Sequence, residues 1–433
     1  MVETHKMTIE EFFSQVQRPV GQGGFQTGWI YHRILHSPHG PVVTTQTLCS
    51  WVYDCGSNQL AALTTEIKKV CGVRFNFLFL SHLDGDHVVG VDQLLLTASG
   101  VDQVVLPYLG DEEWALCLAA AASNGTLTGS FVDFAADPAG WLGSRGVDRI
   151  AYVEAVDEGD DAVSGPDRVD PDQPPSDRRG EELLNPEDDR GSTEAAWSRP
   201  PRVVHKGDKA NSRAEVVVLE RGTVATVRVT GRELNWVLSP FAVKPAAKKM
   251  LQFRQCLEAH FGVGLTAKEY AAHARSLAGR ASLRNCYDLV WKNHNLHSMA
   301  LYSGPARISS GKIRNTARHG SFVRRMIQPG WISTGDFDAR VKNRRDALLR
   351  YYSGFAPMVG QIALPHHGSD LSFDTALLDA FPDLSCAIAP VGANSYGHPG
   401  LAVQAAVAMR PSIDFVRVDE SGSSVYTVAG PIA

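Results

Sequence analysis

The sequence predicts an α/β fold, on three observations. Short apolar runs of strand length recur along the chain: Leu48 to Tyr53, Phe75 to Leu80, Val101 to Pro107 and Ile362 to Leu364. Between them lie segments with helical spacing, such as Ala61 to Cys71, where Leu63, Ile67 and Val70 share one face. The chain has 433 residues, 44% hydrophobic and 21% charged, which is an ordinary globular composition with room for one large domain or two smaller ones.

Taken in order, residues 7–17 read as a short helix, with Thr8 as N-cap and Glu10 and Glu11 in the first turn. Val20 to Tyr31 reads as a strand that opens on a glycine-permitted bend, Val20-Gly21-Gln22-Gly23. The strand Leu48 to Tyr53 ends on Asp54, and Cys55 beside it reads as a small buried residue. Residues 111–123 are Ala-rich and helical, and regularity weakens after Asn124-Gly125. Residues 157–202 have the Asp, Glu, Pro, Gly and Arg content of a linker or hydrated surface insertion. Glu215 to Leu219 and Thr223 to Val229 read as a hairpin turning at Arg221-Gly222, and Asn235 to Phe241 as a strand. Lys248 to Leu257 and Ala267 to Leu277 read as helices, the second capped by Thr266, with His260 and His273 as surface or packed histidines. Asn295 to Leu301 and Trp331 to Thr334 read as strands.

Charge and cysteine usage narrow the classes. The net charge of −5 hides an acidic stretch, 154–194, with 15 Asp/Glu against 4 Lys/Arg, so the rest of the chain is mildly basic. Seven scattered cysteines without a C-x-x-C pair predict reduced thiols in a cytoplasmic protein. The first 13 residues lack a signal-peptide core, and no apolar run is long enough to span a bilayer, so no membrane partner is expected.

The densest chemistry sits in Leu80-Ser81-His82-Leu83-Asp84-Gly85-Asp86-His87. Four candidate metal ligands, His82, Asp84, Asp86 and His87, arrive just after a buried strand, where such side chains are costly unless paired. Alternation puts His82, Asp84 and Asp86 on one side if the chain stays extended. Imidazole with carboxylate suits zinc, manganese or iron.

This stretch resembles the H-x-[HD]-x-D-H signature of the metallo-β-lactamase fold, in the form with a central Asp that is similar to the hydrolase domain of ComEC competence proteins and their stand-alone relatives. Further stretches resemble that family in its order: Val20-Gly21-Gln22-Gly23, Asn295-Leu296-His297-Ser298, Thr334-Gly335-Asp336, Pro365-His366-His367-Gly368-Ser369, and Val391-Gly392-Ala393-Asn394 through Gly397-His398-Pro399. Pro19 and Gly24 stand where the family usually has Asp. The resemblance implies an αββα sandwich whose halves are 1–110 and 291–433, with 111–290 inserted and containing the acidic linker 157–202 and a helical subdomain 243–290. It implies Asp54 as an orienting carboxylate and two divalent ions, Zn or Mn, held by His82, Asp84, Asp86, His87, a bridging Asp336 and His366 or His367. Strand-end placement favours His366 and alignment favours His367; His297 is a weaker ligand candidate. Asp86, Asn295 and His398 are the implied catalytic residues, with His398 as a substrate-facing acid or phosphate contact.

The implied activity is phosphodiester hydrolysis of DNA or RNA by metal-activated water. The basic residues Arg307, Lys312, Arg314, Arg318, Arg324 and Arg325, and then Arg340, Lys342, Arg344 and Arg345, read equally as phosphate contacts or as solvated loop charges. The alternatives are hydrolysis of a small phosphoester, cyclic nucleotide or acyl ester, and a metal-binding component of a multi-protein defence or repair assembly. A homo-oligomer and operon-encoded protein partners are both compatible with the chain.

Overall fold

The computed structural model describes residues 8–35, 42–158, 163–169, 193–229, 231–291, 298–308, 315–326 and 328–432. Its strands are β1 (Thr8–Gln17), β2 (Gln26–Leu35), β3 (Val42–Tyr53), β4 (Arg74–Phe79), β5 (Gly100–Pro107), β6 (Arg149–Val153), β7 (Thr193–Trp197), β8 (Arg202–His205), β9 (Glu215–Leu219), β10 (Ala225–Val229), β11 (Arg232–Phe241), β12 (Ala300–Gly304), β13 (Asn315–His319), β14 (Phe322–Met326), β15 (Gly330–Ser333), β16 (Val359–Ala363), β17 (Cys386–Pro390), β18 (Asp414–Val418) and β19 (Tyr426–Pro431). They form two mixed sheets, ordered β14-β13-β19-β1-β2-β3-β4-β5-β6-β9-β8 and β18-β17-β16-β15-β12-β11-β10-β7.

Side-chain alternation divides the interior into three apolar layers. Trp51 and Tyr53 of β3 and Val105 of β5 face Trp236 and Leu238 of β11 and Leu301 of β12, filling the space between the sheets. Val52 and Val104, one residue out of phase, meet the helices Leu60–Lys68, Val91–Thr97 and Asp111–Asn124 on the outer side of the large sheet. Val237, Ala300 and Tyr302 meet the helices Lys342–Tyr351 and Leu401–Ala408 on the outer side of the small one. The α/β class expected from sequence is therefore present, with helices flanking two stacked sheets.

The parallel strands matter most for position. In the large sheet β3, β4 and β5 run parallel, and in the small sheet β15, β16 and β17 do. Residues just past the ends of β3, β4, β15 and β16 meet at one edge: Asp54, His82, Asp336 and His366.

Several expectations are corrected. Residues 8–17 form a strand, not a helix, because β1 finds antiparallel partners on both sides, β2 and β19, and buries Phe13. Val20 lies in a bend between β1 and β2 and is not part of a strand. β9 and β10 do not make a hairpin: β9 pairs with β6 and β8, β10 with β7 and β11, so the Arg221-Gly222 turn passes the chain from one sheet to the other. Strands from 149–241 belong to both sheets. Within the expected linker 157–202, β7 occupies Thr193–Trp197, and 159–162 and 170–192 fall outside the described residues. The helix expected over 267–277 stops at Ala274, and a new one, Leu277–Val290, starts with Ser276 capping Gly279 N–H. Thr266 does cap Ala267–Ala274, reciprocally with Glu269. Where sequence regularity weakens after Asn124-Gly125, helices Gly129–Ala136 and Pro138–Gly143 precede β6.

The cysteines are not all reduced. Cys256 and Cys286, whose Cα atoms are 5.5 Å apart on two packed helices, form a disulfide, while Cys49, Cys55, Cys71, Cys117 and Cys386 are free. Among the described residues no helix is long and apolar enough to cross a membrane.

Gly28 of β2 lies against fully buried Trp51, and an added Cβ would lie 2.1 Å from the indole. Gly28→Ala is expected to destabilise the fold by about 2 kcal/mol through overpacking, read as a lower denaturation midpoint with unchanged slope.

Candidate metal centre

Asp54 is the foundation of the site. It follows β3 in a left-handed conformation, φ +56°, and is fully buried. Its Oδ1 accepts the Ser81 backbone N–H at 2.7 Å, and its Oδ2 accepts the Ser81 hydroxyl at 2.7 Å and His87 Nδ1–H at 2.8 Å. One carboxylate thereby ties the end of β3 to both ends of the 81–87 loop.

That network fixes tautomers. A carboxylate only accepts, so His87 carries its proton on Nδ1. Ser81 Oγ gives its hydrogen to Asp54 and must accept from His82 Nδ1, 2.9 Å away. His367 Nδ1 lies 3.0 Å from the Pro390 carbonyl, again an acceptor only. In all three rings the neutral form therefore presents a bare Nε2 lone pair. His82 Nε2, His87 Nε2 and His367 Nε2 are also buried without a hydrogen-bond partner among the described residues. His366 Nδ1 sits 3.2 Å from Ser372 Oγ.

The Nε2 atoms converge on Asp336. Its Oδ1 lies 3.1 Å from His87 Nε2 and 3.7 Å from His367 Nε2. Its Oδ2 lies 3.6 Å from His82 Nε2 and 3.5 Å from His366 Nε2. Asp86 joins the first side, with Oδ2 3.3 Å from His367 Nε2 and Oδ1 4.0 Å from His87 Nε2. Two trios have ligand atoms within 4.8 Å of one another, His82–His87–Asp336 and Asp86–His87–His367, so the residues present could hold a metal ion. A further trio, Cys256–His260–Cys286, is as compact, but its sulfurs are joined.

The backbone is bent to deliver these groups. Among the described residues, three of the four non-glycine residues with positive φ are Asp54, His366 and His367; such conformations cost on the order of 1–3 kcal/mol each and cluster at functional sites. Gly24 closes the other side: a Cβ there would meet Asp54 at 2.8 Å and His87 Nδ1 at 3.0 Å. Gly23 of the Val20-Gly21-Gln22-Gly23 bend packs on the same loop, where a Cβ would lie 2.7 Å from the Asp86 carbonyl.

Electrostatics follow from this crowding. Burial disfavours a charged His87, yet Asp336, Asp54 and Asp86 outweigh it and hold its pKa well above the ordinary value. His82 goes the other way, pushed to about 4 by burial and by His87. Burial would raise Asp86, but His87 and His367 bring it down to about 2. Burial likewise opposes ionisation of Asp336, and His366, His87 and His82 hold it well below the usual carboxylate range. Asp84 is raised to about 7 by burial, with Asp86 and Asp336 adding to it.

The sequence candidates divide as follows. His82, Asp86, His87, Asp336, His366 and His367 come together. Asp84 joins neither compact trio. The chain turns there into the short helix Gly85–Val88, instead of staying extended, and the Asp84 carboxylate accepts from Asn124 Nδ2 at 3.4 Å. His398 lies at the mouth, its ring 5.2 Å from that of His366. Burial, with His366 and His367, pushes its pKa down to about 4. Asn295 and His297 lie outside the described residues, as do Lys312 and Arg314. Sequence reasoning missed the anchors Ser81, Ser372 and the Pro390 carbonyl; only Ser81, inside the motif, carried any signal.

No protein-family model matches the chain, and no curated protein sequence does.

Because Asp54 holds the His87 ring directly and the His82 ring through Ser81, Asp54→Ala is expected to weaken Mn²⁺ or Zn²⁺ binding by about 10- to 100-fold, measured by calorimetric titration. Unchanged affinity would show that Asp54 has no orienting role.

Proposed function

We propose that the chain is a metal-dependent hydrolase of the metallo-β-lactamase, ComEC-like type, and that it cleaves phosphodiester bonds in nucleic acid. One observation carries the reading: the two oxygens of Asp336 face different imidazole pairs, His87 with His367 and His82 with His366. A carboxylate so flanked suits a bridge between two divalent ions, which a two-metal site holds ~3.5–4 Å apart. The αββα reading is supported by the layer order and by ligands gathered at the ends of parallel strands from both sheets.

The ligands divide by side. Asp86, His87, His367 and Asp336 Oδ1 would hold one ion; His82, His366 and Asp336 Oδ2 the other. The second side has fewer protein ligands, which leaves room for water and substrate. Ions there supply Lewis acidity toward water and a phosphoryl oxygen. Asp54 and Ser81 keep His87 and His82 in the ligating tautomer, and the Pro390 carbonyl does so for His367. The carboxylates favour manganese alongside zinc.

The small-phosphoester alternative has one observation in its favour. Several of the basic residues already have partners: Arg324 with Asp414, Lys342 with Asp346, Arg345 with Asp374, and buried Arg344 facing Glu158 at 3.7 Å. Fewer cations then remain for a phosphate backbone.

The purified protein is expected to degrade single-stranded DNA with Mn²⁺, and Asp86→Ala to lower the rate by about 100-fold or more. No cleavage of any nucleic acid across several divalent metals would refute the assignment. Polymer affinity should fall steeply with salt; salt-insensitive turnover of a small phosphoester would select the alternative.

A further inference from the structure

Rings lead outward from the metal centre to solvent. His366, whose Nε2 is 3.5 Å from Asp336, meets His398 at 5.2 Å between centroids. His398 in turn lies 6.0 Å from Tyr396, with the two planes only 22° apart. Tyr396 is 68% exposed.

The loop beneath Tyr396 is rigidly built. Asn394 Nδ2 donates to the Gly392 and His398 carbonyls at 3.0 and 2.8 Å, and its Oδ1 accepts from Tyr396 N–H and His398 N–H at 3.0 and 3.1 Å. Gln59 Nε2 adds a bond to the Ala393 carbonyl at 2.9 Å. A loop pinned five times across 392–398 has little freedom left to lose, so the exposed ring at its crest is pre-organised for contact. Packing does not account for that ring: it supports no apolar core, and its near-parallel neighbour belongs to the mouth of the site.

We propose that Tyr396, backed by His398, is a stacking subsite for an unpaired nucleobase next to the scissile phosphate. This rests on the nucleic-acid reading and narrows it to single strands or strand ends, whose bases are free to stack. Stacking is tolerant of sequence because every base offers a π-face. A base seated there would hold the backbone across the His366 side of Asp336.

The test uses the full chain with Mn²⁺, a short oligothymidylate, and the same strand with abasic nucleotides. Affinity is read from fluorescence anisotropy and turnover from cleavage. Tyr396→Ala is expected to weaken binding of the base-bearing strand by about five-fold or more, with the loss appearing in KM more than in kcat. Tyr396→Phe should restore the affinity, and the abasic strand should bind wild type and Tyr396→Ala alike. Wild-type affinity of Tyr396→Ala for the base-bearing strand overturns the subsite while leaving the hydrolase reading in place. So does an equal loss on the abasic strand, which would mark a merely structural ring. Neither binding nor cleavage of any strand by the wild type overturns both.

Discussion

Lone pairs aimed at lone pairs dominate this structure. Asp54, the Ser81 hydroxyl and the Pro390 carbonyl fix the protons of His87, His82 and His367 on Nδ1, so their Nε2 atoms confront the carboxylates of Asp336 and Asp86. Neutral imidazoles at 3.1 to 3.7 Å from carboxylate oxygens repel unless something positive lies between them. Two species can meet that demand. A proton on His87 is one, and the upward shift of that ring shows how strongly its surroundings ask for it. A divalent cation is the other; it serves several nitrogens and oxygens at once, whereas a proton serves one pair. Burial sharpens the choice, because unpaired charge here is costly.

The two sheets make that convergence affordable. Apolar packing between them, through Trp51, Trp236 and Trp331, holds the ends of β3 and β4 against those of β15 and β16. The ligand loops therefore meet at a seam between rigid layers, and three left-handed residues, Asp54, His366 and His367, are tolerated because neighbours over-determine them. Outer helices add support at the flank: Asn124, ending the helix Asp111–Asn124, reaches Asp84, and Thr126 lies against Gly85.

Much of this was legible from residue types. The strand before His82, the dense ligand stretch and the later Asp336 and His366-His367 all stand out because polar side chains of that kind rarely follow apolar runs. The resemblance implies their convergence, and the fold brings His82, Asp86, His87, Asp336, His366 and His367 together. What failed had tertiary causes. Thr8-Ile9-Glu10-Glu11 carries a helix-start signal, but pairing on both edges overrides local propensity. β9 and β10 look like a hairpin because sequence cannot say that a short turn crosses between sheets. Asp84 fits an alternating pattern only while the chain is extended, and a four-residue helix spoils the phase. Sequence does not say which histidine of the 366–367 pair faces the centre; both do, on opposite sides of Asp336, since each adopts positive φ.

Anomalous diffraction from crystals grown with Mn²⁺ tests the central claim most directly. The account predicts two peaks, one on each side of the Asp336 carboxylate and ~3.5–4 Å apart, against His87 with His367 and against His82 with His366. An absence of anomalous density around Asp336 at saturating metal would contradict it.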